Sequence, residues 1–250
     1  MLQTSTRNDI FRFMKGVITA GGLGTRLYPL TYATNKHLLP IYDKPMVFYP
    51  IQTLVKAGIT EILLIVGGPH AGHFMRVLKN GKDFGIKHLE FAYQEGEGGI
   101  AEAVYLAKDF ADADSICVIL GDNCTDANIK KDIINFKSGA KVFLKKVKDP
   151  QRYGVPVFDR KGKIIGIEEK PKEPKSLFAV TGLYIYDNTA FDKIKKQKPS
   201  PRGELEITDL NNTYIKEGTL EWSELKGFWS DAGTFDSLFE VSEHWVTKNK

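Results

Sequence analysis

Short apolar runs and helically spaced apolar positions alternate along the first half of the chain. Residues 15–20 (KGVITA), 61–66 (EILLIV), 88–93 and 115–120 (SICVIL) are β-rich runs of strand length. Between the first two, Met46, Tyr49, Pro50, Thr53, Leu54 and Ala57 recur at helical spacing until Gly58 closes the segment. Residues 74–78 predict a second helix and 100–110 a third, with Ala103, Leu106 and Ala107 turned inward. Strands alternating with helices of this length predict βαβ units and a mostly parallel sheet. Runs such as SICVIL, apolar at consecutive positions, need cover on both faces of that sheet. The expected fold is therefore α/β: a three-layer, Rossmann-like, mostly parallel sheet with helices on both faces.

Past about residue 145 the rhythm changes. Residues 155–159 and 163–168 flank Arg160-Lys161-Gly162 and predict an antiparallel hairpin. A strand at 180–186, a helix at 204–216 ended by Gly218, a strand at 220–225 and a closing helix at 234–245 complete the pattern. This half reads as a smaller antiparallel portion, in which Pro156 implies an edge position. Asp126, Lys130 and Lys131, like the run 193–198, read as solvated helix faces. No Pro/Gly/Ser-rich linker divides the chain. Residues 14–250 are expected to form one unit, preceded by an N-terminal extension at 1–13.

Composition narrows the function classes. With 42% hydrophobic and 26% charged residues over 250 positions, the chain has ordinary globular values. A net charge of +4 can steer anionic ligands but is too small to indicate nucleic acid. Two cysteines cannot support a disulfide scaffold or a four-thiolate zinc site, and they suit a reduced setting. No apolar run approaches the ~18 residues of a membrane span, and the first residues lack the apolar core of a secretory signal. The expectation is a cytoplasmic protein without a membrane or nucleic-acid partner.

Ligands of an open parallel sheet sit beyond the carboxyl ends of its strands. Three features fall there: Ala20-Gly21-Gly22-Leu23-Gly24-Thr25-Arg26, Gly121-Asp122-Asn123 and Trp229-Ser230-Asp231-Ala232-Gly233. Glycines let backbone N–H groups close around phosphate oxygens, and Arg26 adds a forked, charge-assisted donor. A P-loop is excluded, because no Gly-Lys-Ser/Thr follows. The dinucleotide fingerprint fails as well, since Leu27 stands where its third glycine belongs. Asp122 at the end of a buried strand is either a turn residue or a Mg²⁺ ligand. Asp231 is either a helix N-cap or a second such acid. Cys117 reads as a small core hydrophobe.

The blocks GGLGTRLYPLT, NKHLLPIYDKPM, GGIAEA, GDN, EEKPKEPKS, AVTGLYIYD, RGELEITDLN and WSDAGT occur in that order. Together they closely resemble the glucose-1-phosphate thymidylyltransferases of the sugar-phosphate nucleotidyltransferase family, over nearly all of the chain beyond the N-terminal extension. The resemblance implies Mg²⁺-dependent transfer of a thymidylyl group from dTTP to a hexose 1-phosphate in nucleotide-sugar biosynthesis. It implies that Ala20, Gly21, Gly22, Gly24 and Thr25 hold the nucleotide, with Arg26 on its phosphates and Lys36 at the α-phosphate. Asp122 and Asp231 would hold the Mg²⁺. Gln94 and the backbone near Gly99 would read the base, the amide pairing as both donor and acceptor. Lys170 would hold the sugar phosphate, with Tyr153, Gly154, Glu169, Val180 and Gly182 around the hexose. A homo-oligomer and a short form without further C-terminal helices are also implied.

Several residues depart from the pattern of that family. His37, which either touches the base or packs, stands where many members have glutamine. Ala232 replaces a common threonine, and Gly98 replaces an acidic or polar residue. The phosphate chemistry is unaffected by these changes. They leave open a UTP-using or other-hexose enzyme and, as a different class, a nucleotide-sugar-binding regulator without turnover.

Overall fold

The computed structural model describes residues 14–248, so the expected extension at 1–13 lies outside the described residues. Strand β1 (Met14–Ala20) leads into a long loop of three short 3-10 turns, the last at Lys36–Leu38, and then a small ladder of β2 (Pro40–Ile41) with β3 (Lys44–Pro45). Helix α1 (Phe48–Lys56), β4 (Glu61–Gly67), α2 (Ala71–Leu78) and β5 (His88–Gln94) follow. Next come α3 (Ile100–Tyr105), α4 (Lys108–Ala111), β6 (Ser115–Leu120), β7 (Asn123–Thr125) and α5 (Lys130–Asn135). The second half holds β8 (Ala140–Lys146), β9 (Gly154–Phe158), β10 (Ile164–Glu169), β11 (Phe178–Tyr186), α6 (Ala190–Lys195), α7 (Ile207–Lys216), β12 (Leu220–Glu224), β13 (Trp229–Asp231) and α8 (Phe235–Lys248).

Strands β5, β4, β1 and β6 run parallel in that spatial order. Beyond β6 the sheet continues antiparallel through β11, which also pairs with β8 and touches the β9–β10 hairpin. Alternation of side chains assigns each strand to two cores. Val17, Leu63, Ile65, Ile116 and Val118 pack with α3, α4, α6 and α7 on one face. Ile18, Leu64, Val66, Cys117 and Ile119 pack with α1 and α2 on the other. Both faces are thus covered, as the continuous apolar runs require, and Cys117 is a buried core residue. A third, smaller core joins Met46 and Tyr49 to Cys124, Ala232, Val241 and Trp245, clamping α8 over the β2–β3 ladder.

Four details differ from the sequence pattern. β8 occupies a place in the main sheet where no strand was expected, because the lysines of AKVFLKK obscure its alternation. Lys141 is nevertheless buried, held by Asp132 at 3.5 Å and Glu221 at 3.4 Å. The expected helix at 100–110 breaks into α3 and α4, leaving Leu106 40% exposed. Asp126 is no solvated helix face: it accepts from the Phe228 N–H at 2.7 Å and from Lys248 at 2.6 Å, tying α8 to the sheet. Strand β9 is not an outer strand, but it meets β11 only at Gly154. Pro156 therefore lies where that side of β9 is open, and no ladder N–H is missed.

Candidate active site

A cavity of about 710 Å³ opens at the carboxyl ends of β1, β5 and β6 and extends beneath the β9–β10 hairpin. Its wall includes every candidate residue named above for catalysis, nucleotide, sugar phosphate and metal, with the exception of Ala20. Ala20 closes β1 with its side chain in the core, fully buried, and its carbonyl accepts from Asn35 Nδ2 at 3.4 Å. Its side chain supports the glycine-rich loop from behind and does not line the cavity.

The loop after β1 is shaped by close approach. Gly24 adopts φ +70°, and a β-carbon there would stand 2.8 Å from Lys36 Cβ, so the position requires glycine. This approach brings Lys36 across to β6, where its Nζ meets Asp122 Oδ2 at 2.6 Å with both side chains 13% exposed. Burial alone would raise the Asp122 pKa. The Lys36 ammonium and hydrogen bonds from Lys36 and Asn123 more than reverse that and hold the carboxyl well below the usual carboxylate range. His37, beside this pair, is 2% exposed, and its pKa falls to about 3 through burial and then the Lys36 charge. It packs as a neutral imidazole with Nδ1 2.7 Å from Asn35 Oδ1.

Asn123 is the hub of the wall that carries the two acids. Its Nδ2 donates to Asp122 Oδ1 at 3.0 Å, while its Oδ1 accepts from the Gly182 N–H at 2.9 Å and the Trp229 indole at 2.7 Å. One side chain thereby joins β7, β11 and β13. Pairing of β7 with β13 sets Asp231 opposite Asn123 in register, which brings the two acids to one wall. Asp231 is no N-cap, since Thr234 Oγ1 accepts from Ser237 N and caps α8 instead. Its Oδ1 accepts from Tyr153 Oη at 2.7 Å and from Arg152 Nη2 at 3.3 Å. Burial, then the charge of Asp122, raises the Asp231 pKa against these donors. The same environment keeps the Tyr153 phenol protonated, its pKa pushed upward by burial and by Asp231.

At the far end, Lys170 takes a left-handed backbone (φ +46°), and its N–H is anchored on the Tyr153 carbonyl at 3.0 Å. Its half-exposed ammonium lies 3.7 Å from Glu169 Oε1. Glu169 is oriented by Thr208 Oγ1, which donates at 2.6 Å, and Arg202 stands 3.9 Å from it.

The Gln94 side chain, expected to pair as both donor and acceptor, is held differently. Gln94 Nε2 donates to the Gly99 carbonyl at 3.1 Å and to Glu102 Oε2 at 2.8 Å. Both amide protons are engaged, so the side chain offers a ligand its oxygen alone and not a donor–acceptor pair.

Arg152, Thr208 and Arg202 also face the cavity without a role read from the sequence, as do Asn123 and Trp229, which the sequence marked only as members of the strand-end motifs. Thr208 and Arg202 lie within RGELEITDLN and Trp229 within WSDAGT, blocks that the resemblance had already marked. Arg152 had only its place beside Tyr153 as a signal. The assembled site sets Arg26, Lys36, Arg152, Lys170 and Arg202 around Asp122, Asp231 and Glu169. Such a surface can draw together two phosphorylated ligands and neutralise charge that moves between them.

Residues 15–248 match the nucleotidyl transferase family. The glucose-1-phosphate thymidylyltransferase of Neisseria gonorrhoeae is 47% identical over 235 residues, covering 92% of this chain and 81% of that protein. That of Mycolicibacterium smegmatis is 45% identical with the same coverage. A solved Bacillus anthracis structure assigned as a glucose-1-phosphate thymidylyltransferase, crystallised with sucrose, superposes with a TM-score of 0.87 at 48% identity, covering 92% of this chain and 94% of that one. A UDP-glucose pyrophosphorylase complexed with UDP-glucose shares 23% identity and a TM-score of 0.80 over 94% of this chain and 99% of that one, a likeness of fold alone. By sequence, fold and the composition of its cavity, the chain belongs to the nucleotidyl transferase family, among the glucose-1-phosphate thymidylyltransferases.

Proposed function

We propose that this enzyme transfers the thymidylyl group of dTTP to glucose 1-phosphate, forming dTDP-glucose and pyrophosphate. The observation that carries the reading is the convergence of Arg26, Lys36, Asp122, Lys170 and Asp231, from four separate segments, on one cavity. A phosphate oxygen of the sugar attacks the α-phosphorus of dTTP, and the bond to the bridging oxygen of the β-phosphate breaks. No side-chain nucleophile is needed, because the substrate supplies the attacking oxygen.

Arg26, unpaired among the described residues, is free to take the departing pyrophosphate. Lys36 supplies positive charge at the transferring phosphoryl, where preorganised donors lower the barrier most. Lys170 neutralises the sugar phosphate, and Glu169, held by Thr208, accepts from sugar hydroxyls. Gly21, Gly22, Gly24 and Thr25 shape the triphosphate wall, while Tyr153, Gly154, Val180 and Gly182 shape the hexose pocket.

The donor set fits Mg²⁺. Two oxygen-only carboxylates whose charges oppose each other share one wall, and Mg²⁺ takes one or two carboxylates plus substrate phosphates and water. Asp122 and Asp231 would hold it, and it would supply Lewis-acid neutralisation of phosphoryl charge. Tyr153 and Arg152 orient Asp231 for that task, and Asn123 orients Asp122.

No helix among the described residues is long and apolar enough to cross a membrane. Cytoplasmic location and a homo-oligomeric state belong to this proposal, since they accompany the soluble chemistry of the family.

The test is pyrophosphate release with Mg²⁺, crossing dTTP, UTP, CTP, ATP and GTP against glucose, galactose, mannose and N-acetylglucosamine 1-phosphates. Release that is strongest with dTTP and glucose 1-phosphate and disappears in EDTA supports the reading. Silence across the grid from protein that still binds dTTP would overturn it in favour of a binding protein without turnover.

A further inference from the structure

We propose that Glu102 is a positioning residue that sets which end of the Gln94 amide the nucleobase meets, and that Gly98 is the opening that admits its carboxylate. The inference rests on the reading that this cavity takes a pyrimidine nucleotide with its base beside Gln94.

Gln94 ends β5 with only 8% of its surface exposed. Its Nε2 faces two groups that can only accept, the Gly99 carbonyl at 3.1 Å and the Glu102 carboxylate at 2.8 Å. An amide has nearly the same shape in its two flipped forms, so shape does not choose between them. The two acceptors do. Flipping the group would set Oε1 against a carbonyl and a carboxylate and leave the Glu102 carboxylate without a donor, while the Gly99 carbonyl would keep only the Ala103 N–H at 3.2 Å. Oε1 therefore turns the other way, toward Gly21, where a β-carbon would stand 2.9 Å from it. No donor among the described residues reaches Oε1.

Glu102 can take this place because position 98 has no side chain. A methyl group at Gly98 would overlap the Glu102 carboxylate, whose three atoms are the nearest to that point. Gly98 does not need its glycine for backbone freedom, as it is not among the residues of positive φ. The two residues form one device, four positions apart across the start of α3.

The consequence is a base reader that only accepts. Thymine and uracil present N3–H and can donate to Oε1. Cytosine presents an unprotonated N3, whose lone pair would face Oε1. Selection between thymine and uracil is left to the contacts around the 5-methyl group.

The experiment measures kcat and KM for dTTP and dCTP, with dTTP Kd by calorimetry, for the parent and for Glu102→Ala, Glu102→Gln, Gly98→Ala and the Gly98→Ala/Glu102→Ala pair. A hydrogen bond to a charged group that fixes the flip corresponds to about 10- to 100-fold in the dTTP-to-dCTP ratio of kcat/KM. Glu102→Ala is expected to lose that much discrimination through KM, with kcat and the sugar-phosphate KM within about twofold. Glu102→Gln, which still offers Nε2 an amide oxygen, should keep most of it. Gly98→Ala should reproduce the loss by displacing the carboxylate, and should add nothing to Glu102→Ala. An unchanged ratio in Glu102→Ala, or additive effects in the pair, overturns the inference while leaving the enzyme reading intact. A parent protein with no preference for dTTP over dCTP overturns the reading beneath it as well. If Glu102→Ala does not fold, Gly98→Ala and Glu102→Gln decide alone.

Discussion

Replacing Lys36 by methionine keeps most of the side-chain volume and removes the charge that faces Asp122 at 2.6 Å. Both partners are 13% exposed, so the carboxylate left behind is largely shielded from water. Breaking a buried pair from one side costs about 3–5 kcal/mol. Asn123 still donates to Asp122, which puts the expected loss near ~3 kcal/mol. For a chain of this size that corresponds to a drop in Tm of roughly 6–12 °C. The pH dependence has a definite sign. Asp122 is depressed in the folded protein, so its contribution is fully present above the unfolded carboxylate value of about 4 and lost as pH falls through the folded value. The deficit of Lys36→Met should therefore be full at neutral pH and shrink on acidification below about pH 4. The assay is thermal melting by circular dichroism in EDTA at several pH values, followed by pyrophosphate-release kinetics. Loss of a charge preorganised at the transferring phosphoryl should lower kcat by about 10²–10³-fold. A neutral-pH melt indistinguishable from the parent, or near-normal turnover, would refute the account of this pair.

Asp231→Asn should abolish most turnover with the fold intact by circular dichroism, and calorimetry should show weaker binding of Mg²⁺ together with dTTP. Turnover and metal response close to the parent's would remove Asp231 from the metal site. Tyr153→Phe deletes one donor to Asp231 and should weaken the Mg²⁺ response by about threefold to tenfold, from a hydrogen bond of ~1 kcal/mol. Lys170→Ala should raise the KM for glucose 1-phosphate far more than the KM for dTTP, because the ammonium lies with Glu169 at the sugar end. Equal changes in both constants would move Lys170 out of the sugar pocket.

The residues assigned to the site came from the resemblance of eight ordered blocks to a known family, while most strands of the main sheet were legible in the pattern of the sequence itself. That pattern depends on local rules: two-residue alternation, helical spacing, and glycine wherever the backbone must turn sharply or approach another group closely. β8 escaped because Lys141 looks polar until Asp132 and Glu221 are seen to neutralise it. Asp126 likewise looked solvated until α8 brought Lys248 and His244 to it. What only the tertiary structure decided is how the functional groups are held. Asn123 meets Gly182 and Trp229 across 59 and 106 positions of chain, and Arg152 meets Asp231 across 79. Even Gln94 and Glu102, eight positions apart, are aligned only because β5 ends and α3 begins around a turn that Gly98 leaves open. Hydrogen bonds and ion pairs depend on distance and direction in space. The sequence therefore named the groups, and the packing of the sheet and its helices determined which of them face one another.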